Sequence, residues 1–122
     1  MMGISEILSW LSNAPQLHGE PLNLDFLPSY SGWSLSVVKS SVKTDILGNA
    51  VRSYILKITR RHTVQNNTDR IAIISTLEDF AAWAKENPPP GSHLRVTDLP
   101  EFNSRNTSGI EDISITINLE ES

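Results

Sequence analysis

A chain of 122 residues, 39% hydrophobic and 20% charged, can bury one core but not two, so residues 1–122 are read as a single domain. It has no cysteine, which excludes disulfides, thiolate metal ligands and cysteine nucleophiles together. The net charge of −4 is unevenly spread: Lys39, Lys43, Arg52, Lys57, Arg60, Arg61 and Arg70 face only Asp45 and Asp69 within 39–70, while acids gather at Glu111, Asp112, Glu120 and Glu121.

The run from Met1 to Leu11 lacks the basic start and continuous apolar stretch of a signal peptide. No stretch approaches membrane-spanning length, so a soluble protein made inside a cell, with no membrane partner, is expected. Ile4, Ile7, Leu8 and Leu11 fall on one helical face, and Pro15 ends that first helix. Trp10 lies off this stripe and is a candidate interface residue. After a turn at His18-Gly19-Glu20-Pro21, Leu22 to Leu27 alternates apolar and polar side chains and is read as a strand closed by Pro28. Tyr30-Ser31-Gly32 is turn-like, and a second strand is expected from Trp33 to about residue 43.

Asp45 and Gly48-Asn49 mark a connecting turn, so the strand over 33–43 is expected to pair antiparallel with a long strand from Val51 to about Val64. That strand sets Tyr54, Leu56 and Ile58 on one face, and its basic end, Arg60-Arg61-His62, is expected to project beyond the core. A second helix over Thr68 to Glu86 carries Ile73, Leu77, Phe80, Ala81 and Ala84 on one face and stops at Pro88-Pro89-Pro90. Asn67 and Thr68 are both candidate caps for its start, and Ser75 with Glu78 also forms a capping box, which leaves a break or restart near Ser75 open. Leu94-Arg95-Val96 begins a fourth strand, Asn103 to Gly109 reads as a turn, and Ile113, Ile115, Ile117 and Leu119 alternate with polar residues in a last strand. The order αβββαββ gives an α+β fold, with an antiparallel or mixed sheet of four to five strands and two helices packed on one face.

Catalysis finds no support in local pattern. The three histidines, His18, His62 and His93, have no metal-ligand spacing, and there is no G-x-S-x-G elbow, P-loop or dinucleotide turn. No catalytic, cofactor-binding or metal-ligating residue is assigned, and no cofactor is expected. The charge split suits either contacts between copies or nucleic acid. The candidate interface residues are Arg52, Lys57, Arg60, Arg61, Glu111 and Asp112, together with Trp10. The alternative is a nucleic-acid-associated module using the basic stretch 52–61, although a sheet-based reader adds stacking aromatics on the same face and only Tyr54 is close in sequence, opposite in facing to Lys57.

Taken in order, several segments resemble a family of small siphophage and prophage proteins of Gram-positive bacteria, the tail-completion or minor capsid proteins. These segments are Ile7-Leu8-Ser9-Trp10-Leu11 with Pro15, Leu22 to Leu27, Trp33-Ser34-Leu35, Gly48 to Arg60, Glu78-Asp79-Phe80-Ala81-Ala82-Trp83 and the closing alternating strand. Ala14 stands where that pattern has a cysteine, and Glu120 where it has a tyrosine. The resemblance implies a tail-terminator-like fold and a homo-oligomeric ring, typically of six copies, capping the tail tube and joining it to the head connector. It also implies a place in the virion tail, and in the host cytoplasm during assembly, with DNA passing through the ring lumen as the one nucleic-acid contact.

Overall fold

Helix α1, Ile4–Leu11, buries Ile7 and Leu11, the inner half of the stripe read from the sequence. A single 3₁₀ turn, Pro15–Leu17, follows, and His18 adopts a left-handed conformation that starts the reversal into strand β1, Leu22–Leu24. The computed structural model describes residues 3–28, 31–105 and 109–121, with backbone alone at 96–99 and 102–105. Strand β1 is shorter than the alternation suggests, because Asp25 takes a positive φ of 61° and turns the chain away. Of the expected turn at 30–32, Tyr30 lies outside the described residues.

Strands β2 (Gly32–Thr44) and β3 (Ala50–Thr63) form the expected antiparallel hairpin. A register shift between Val37 and Lys39 bulges β2 and re-aims the residues beyond it. Asp45 builds the turn: its Oδ1 accepts from the backbone N–H of Leu47 at 2.9 Å and of Asn49 at 2.8 Å, and Gly48 supplies a φ of +84°.

Helix α2 is continuous over Asn67–Glu86, without the interruption expected at Ser75. The physical reason is that Ile73, Leu77, Phe80, Ala81 and Ala84 form one uninterrupted buried face, so a break would strip the core of half its helical wall. Asn66 caps the helix, its Oδ1 accepting from Asp69 N at 3.0 Å, while Asp69 Oδ2 accepts from Gln65 N at 3.0 Å. Replacing Asn66 by alanine is expected to cost about 1 kcal/mol, read as a lower urea midpoint with unchanged slope.

Strands β4 (Ser92–Arg105) and β5 (Ile110–Glu121) complete one mixed sheet in the order β1-β2-β3-β5-β4. β1 runs parallel to β2, and every other neighbour is antiparallel. The α+β class and the mixed sheet agree with the sequence reading. Residues 103–105 continue β4 rather than turning, and 106–108 lie outside the described residues. Cross-strand rows Leu35-Ile58-Ile115 and Val37-Leu56-Ile117 face the helices and meet Leu77 and Phe80 in the core. The basic end of β3 does not project past this body. Arg60, Arg61 and His62 pair in register with Ile113, Asp112 and Glu111 of β5, inside the sheet.

Candidate interaction surfaces

Alternation along β3 sends consecutive arginines to opposite faces of the sheet. Arg60 lies on the helix side, with its guanidinium carbon 5.2 Å from the centroid of the Trp33 ring. Its Nη1 sits 3.2 Å from Glu20 Oε2, which also accepts from Trp33 Nε1 at 3.3 Å. Arg61 points to the other face and donates through Nε and Nη2 to both oxygens of Asp112, each at 2.8 Å, with Nη1 donating to the Pro28 carbonyl at 3.0 Å. This is a bidentate, charge-assisted pair that raises the Arg61 pKa, the hydrogen bonds to Asp112 outweighing burial. The Pro28 ring rests on Gly32, where a Cβ would lie 2.5 Å from Cγ.

One strand residue away, Glu111 is 1% exposed and receives Arg70 of α2, Nη2 to Oε1 at 2.6 Å and Nε to Oε2 at 3.2 Å. This pairing raises the Arg70 pKa.

The candidate interface residues therefore separate. The contact between basic and acidic segments that the sequence suggested for two copies is made within one chain for Arg60, Arg61, Glu111 and Asp112. Glu111 and Asp112, at 1% and 8% exposure, have little surface left for a neighbour. Trp10 is also engaged. It stacks on Trp83 at 6.1 Å and donates Nε1–H to the Asn87 carbonyl at 2.7 Å, tying α1 to the end of α2. Trp83 meets Phe80 edge-on at 6.2 Å, and Phe80 stacks with Trp33 at 5.6 Å, so four rings run from surface to core.

Arg52 lies on the helix side of the hairpin, Nη1 donating to the Tyr54 hydroxyl at 3.3 Å. Lys57 stands on the sheet face away from the helices, in the row Ser36-Lys57-Thr116, next to the row Lys39-Ile55-Asn118-Arg95.

The ionisation of His62 is perturbed by its surroundings. Burial pushes its pKa down, Arg60 adds to this, and Asp69 and Glu20 oppose it. Because the folded value is depressed, the stability that neutral His62 contributes is complete above the unfolded value near 6.5 and is lost as pH falls from there through the folded pKa. Thermal melts between pH 7.5 and 5 are expected to fall less steeply for His62→Gln than for the parent.

Two further surfaces lie away from the Arg61–Asp112 and Arg70–Glu111 pairs. Beside Trp10 lies a cleft of about 630 Å³, walled by Trp10, Pro89 and Pro90, with Glu6 and Glu121 among its lining residues. At the same end of the sheet the β2–β3 hairpin runs on past Ser53, which pairs with Glu120, as a two-stranded arm over residues 42–52. Its tip residues Ile46 and Leu47 are 95% and 84% exposed, Val42 is exposed along it, and Val38 is exposed at the bulge nearer the body. Sequence reasoning treated 44–50 only as a connection. The available signal was a pair of branched aliphatics inside a turn otherwise built of Asp, Gly and Asn.

Among the described residues, no group of three or more His, Asp or Glu side chains is placed to hold a metal ion, and no helix is long and apolar enough to cross a membrane. Comparison with protein-family models and with curated protein sequences gave no match.

Proposed function

We propose that this chain is a structural protein that completes a siphophage-type tail, with a tail-terminator-like fold, and that it works by assembling with copies of itself and with tail-tube and connector proteins. The observation that carries the reading is the arm over 42–52, whose exposed aliphatic tip is held in a fixed turn beyond the domain's own core. Natural chains seldom maintain such an apolar projection unless a partner covers it. The ordered segments named for the family resemblance support the same reading, and a ring, typically of six copies, is the assembly it implies. Electron microscopy of the purified protein mixed with tail tubes tests it. A ring at one end of the tube is expected, and bare tubes beside free monomers would overturn it.

A second reading has an observation of its own. Lys39, Lys57 and Arg95 share the sheet face away from the helices, where they could line a lumen and meet DNA phosphates. A shift of labelled duplex DNA at low salt that disappears at high salt would favour it, and no shift at any salt concentration would remove it.

A further inference from the structure

The arm is a two-stranded ribbon. Past Leu35, β2 has lost its pairing with β1, and past Ser53, β3 has lost its pairing with β5. A ribbon of two strands buries little and is marginally stable by itself in water. Even so, its turn is fixed by two hydrogen bonds from backbone N–H groups to Asp45 and by a backbone bond from Asp45 N to the Asn49 carbonyl at 2.9 Å. A pre-organised tip presenting two branched aliphatics is suited to binding, because little ordering entropy remains to be lost.

The cleft beside Trp10 has the complementary chemistry. Its walls are an indole and two prolines, all rigid, and the acids Glu6 and Glu121 among its lining residues are opposite in charge to Lys43, which pairs with Val51 beside the tip. In its own chain the tip stays in solvent, so it does not fill its own cleft.

We propose that Ile46 and Leu47 of one copy insert into the Trp10–Pro89–Pro90 cleft of a second copy, with Lys43 drawn to the Glu6 and Glu121 carboxylates. The inference rests on the self-assembly reading above and names its contact. Arm and cleft are different patches, so the contact is heterologous and propagates from copy to copy until rotation closes it.

The absence of native cysteine makes a cross-linking test clean. Full-length Leu47→Cys is mixed with a mass-tagged full-length Ser9→Cys, Ser9 being an exposed residue lining the cleft, and oxidised. The control partner is Ser75→Cys, an exposed position on the middle of α2. The mixed disulfide with Ser9→Cys should exceed that with Ser75→Cys by roughly tenfold, and adding Ile46→Asp to the arm should remove most of that excess. Equal yields with the two partners, or indifference to Ile46→Asp, would overturn the proposal. Light scattering on the parent separates the two readings. Higher-mass species without the specific cross-link leave self-assembly standing and remove this contact, whereas a strict monomer at every concentration removes both. A Leu47→Cys cross-link that forms only in complete tails, and to a different chain, would assign the arm to that partner instead.

Discussion

Phe80→Ala is expected to lower the stability of the domain by about 4 kcal/mol, the largest loss from any single truncation in the helical wall. Phe80 is fully buried and stands between Trp33 of β2 and Trp83 of the same helix, so it connects the sheet to the outer aromatic pair that holds α1. Removing the ring forfeits its transfer free energy and leaves a cavity that neither indole can fill without leaving its own partner. Trp33 is held by Glu20 and by Arg60 above its ring, and Trp83 by Trp10. The urea midpoint should fall sharply at unchanged slope, and the tryptophan fluorescence of the folded state should shift, because two indoles border the hole and the third stacks on one of them. A loss under 1 kcal/mol would mean that the core relaxes around the site, and that the four-ring chain does not connect the parts as described. Phe80→Leu, which keeps most of the volume, should recover more than half of the loss.

The aromatic chain also shows what a sequence can disclose. The buried face of α2 was legible because Ile73, Leu77, Phe80, Ala81 and Ala84 recur at helical spacing, a local pattern that needs no partner to be recognised. Strand β5 was legible for the same kind of reason, Ile113, Ile115, Ile117 and Leu119 alternating over one buried face. The neighbours of β5 were not. It lies between β3 and β4, and the register that sets Arg61 opposite Asp112 joins residues half a chain apart, which no local period encodes. Reading Arg60-Arg61-His62 and Glu111-Asp112 as surfaces for two different copies followed from that gap. The charge complementarity was real, but inside one chain the pairing of β3 with β5 sets Arg61 on Asp112, while Arg60 meets Glu20 and Glu111 meets Arg70 of α2. The restart expected at Ser75 failed for a related reason, since a capping pattern is a local preference and the continuous apolar face beneath it outweighs it. In the candidate site, the Trp10 cleft was half visible as a tryptophan off its stripe. The arm was missed because hairpin length beyond the core depends on where β1 and β5 stop pairing.

The pair Arg61 and Asp112 decides whether these charges hold the domain together or serve only an assembly. Arg61→Met leaves Asp112, whose side chain is 11% exposed, without the two donors that face it, and a loss of about 2 to 3 kcal/mol is expected. The upper end of the range for fully buried pairs is not reached, because the Arg61 side chain keeps 27% exposure and water reaches part of the site. Asp112→Leu strands the guanidinium against Pro28 and should cost somewhat less, because the cation can turn toward solvent. The double variant, which removes both charges and leaves two apolar side chains in contact, should be more stable than Arg61→Met alone, with a coupling energy of roughly 1.5 kcal/mol or more. These differences must be independent of protein concentration, since both partners belong to one chain. A coupling that appears only as concentration rises would relocate the pair to a contact between copies, and a coupling near zero would reduce it to a solvated surface pair. Charge reversal is the harsher form of the same experiment. Arg61→Glu sets two carboxylates against each other where Asp112 is nearly buried, so the variant should unfold before its assembly can be measured. A probe of assembly therefore has to act on the arm, where Ile46 and Leu47 contribute nothing to the core, and not on the arginines that close the sheet.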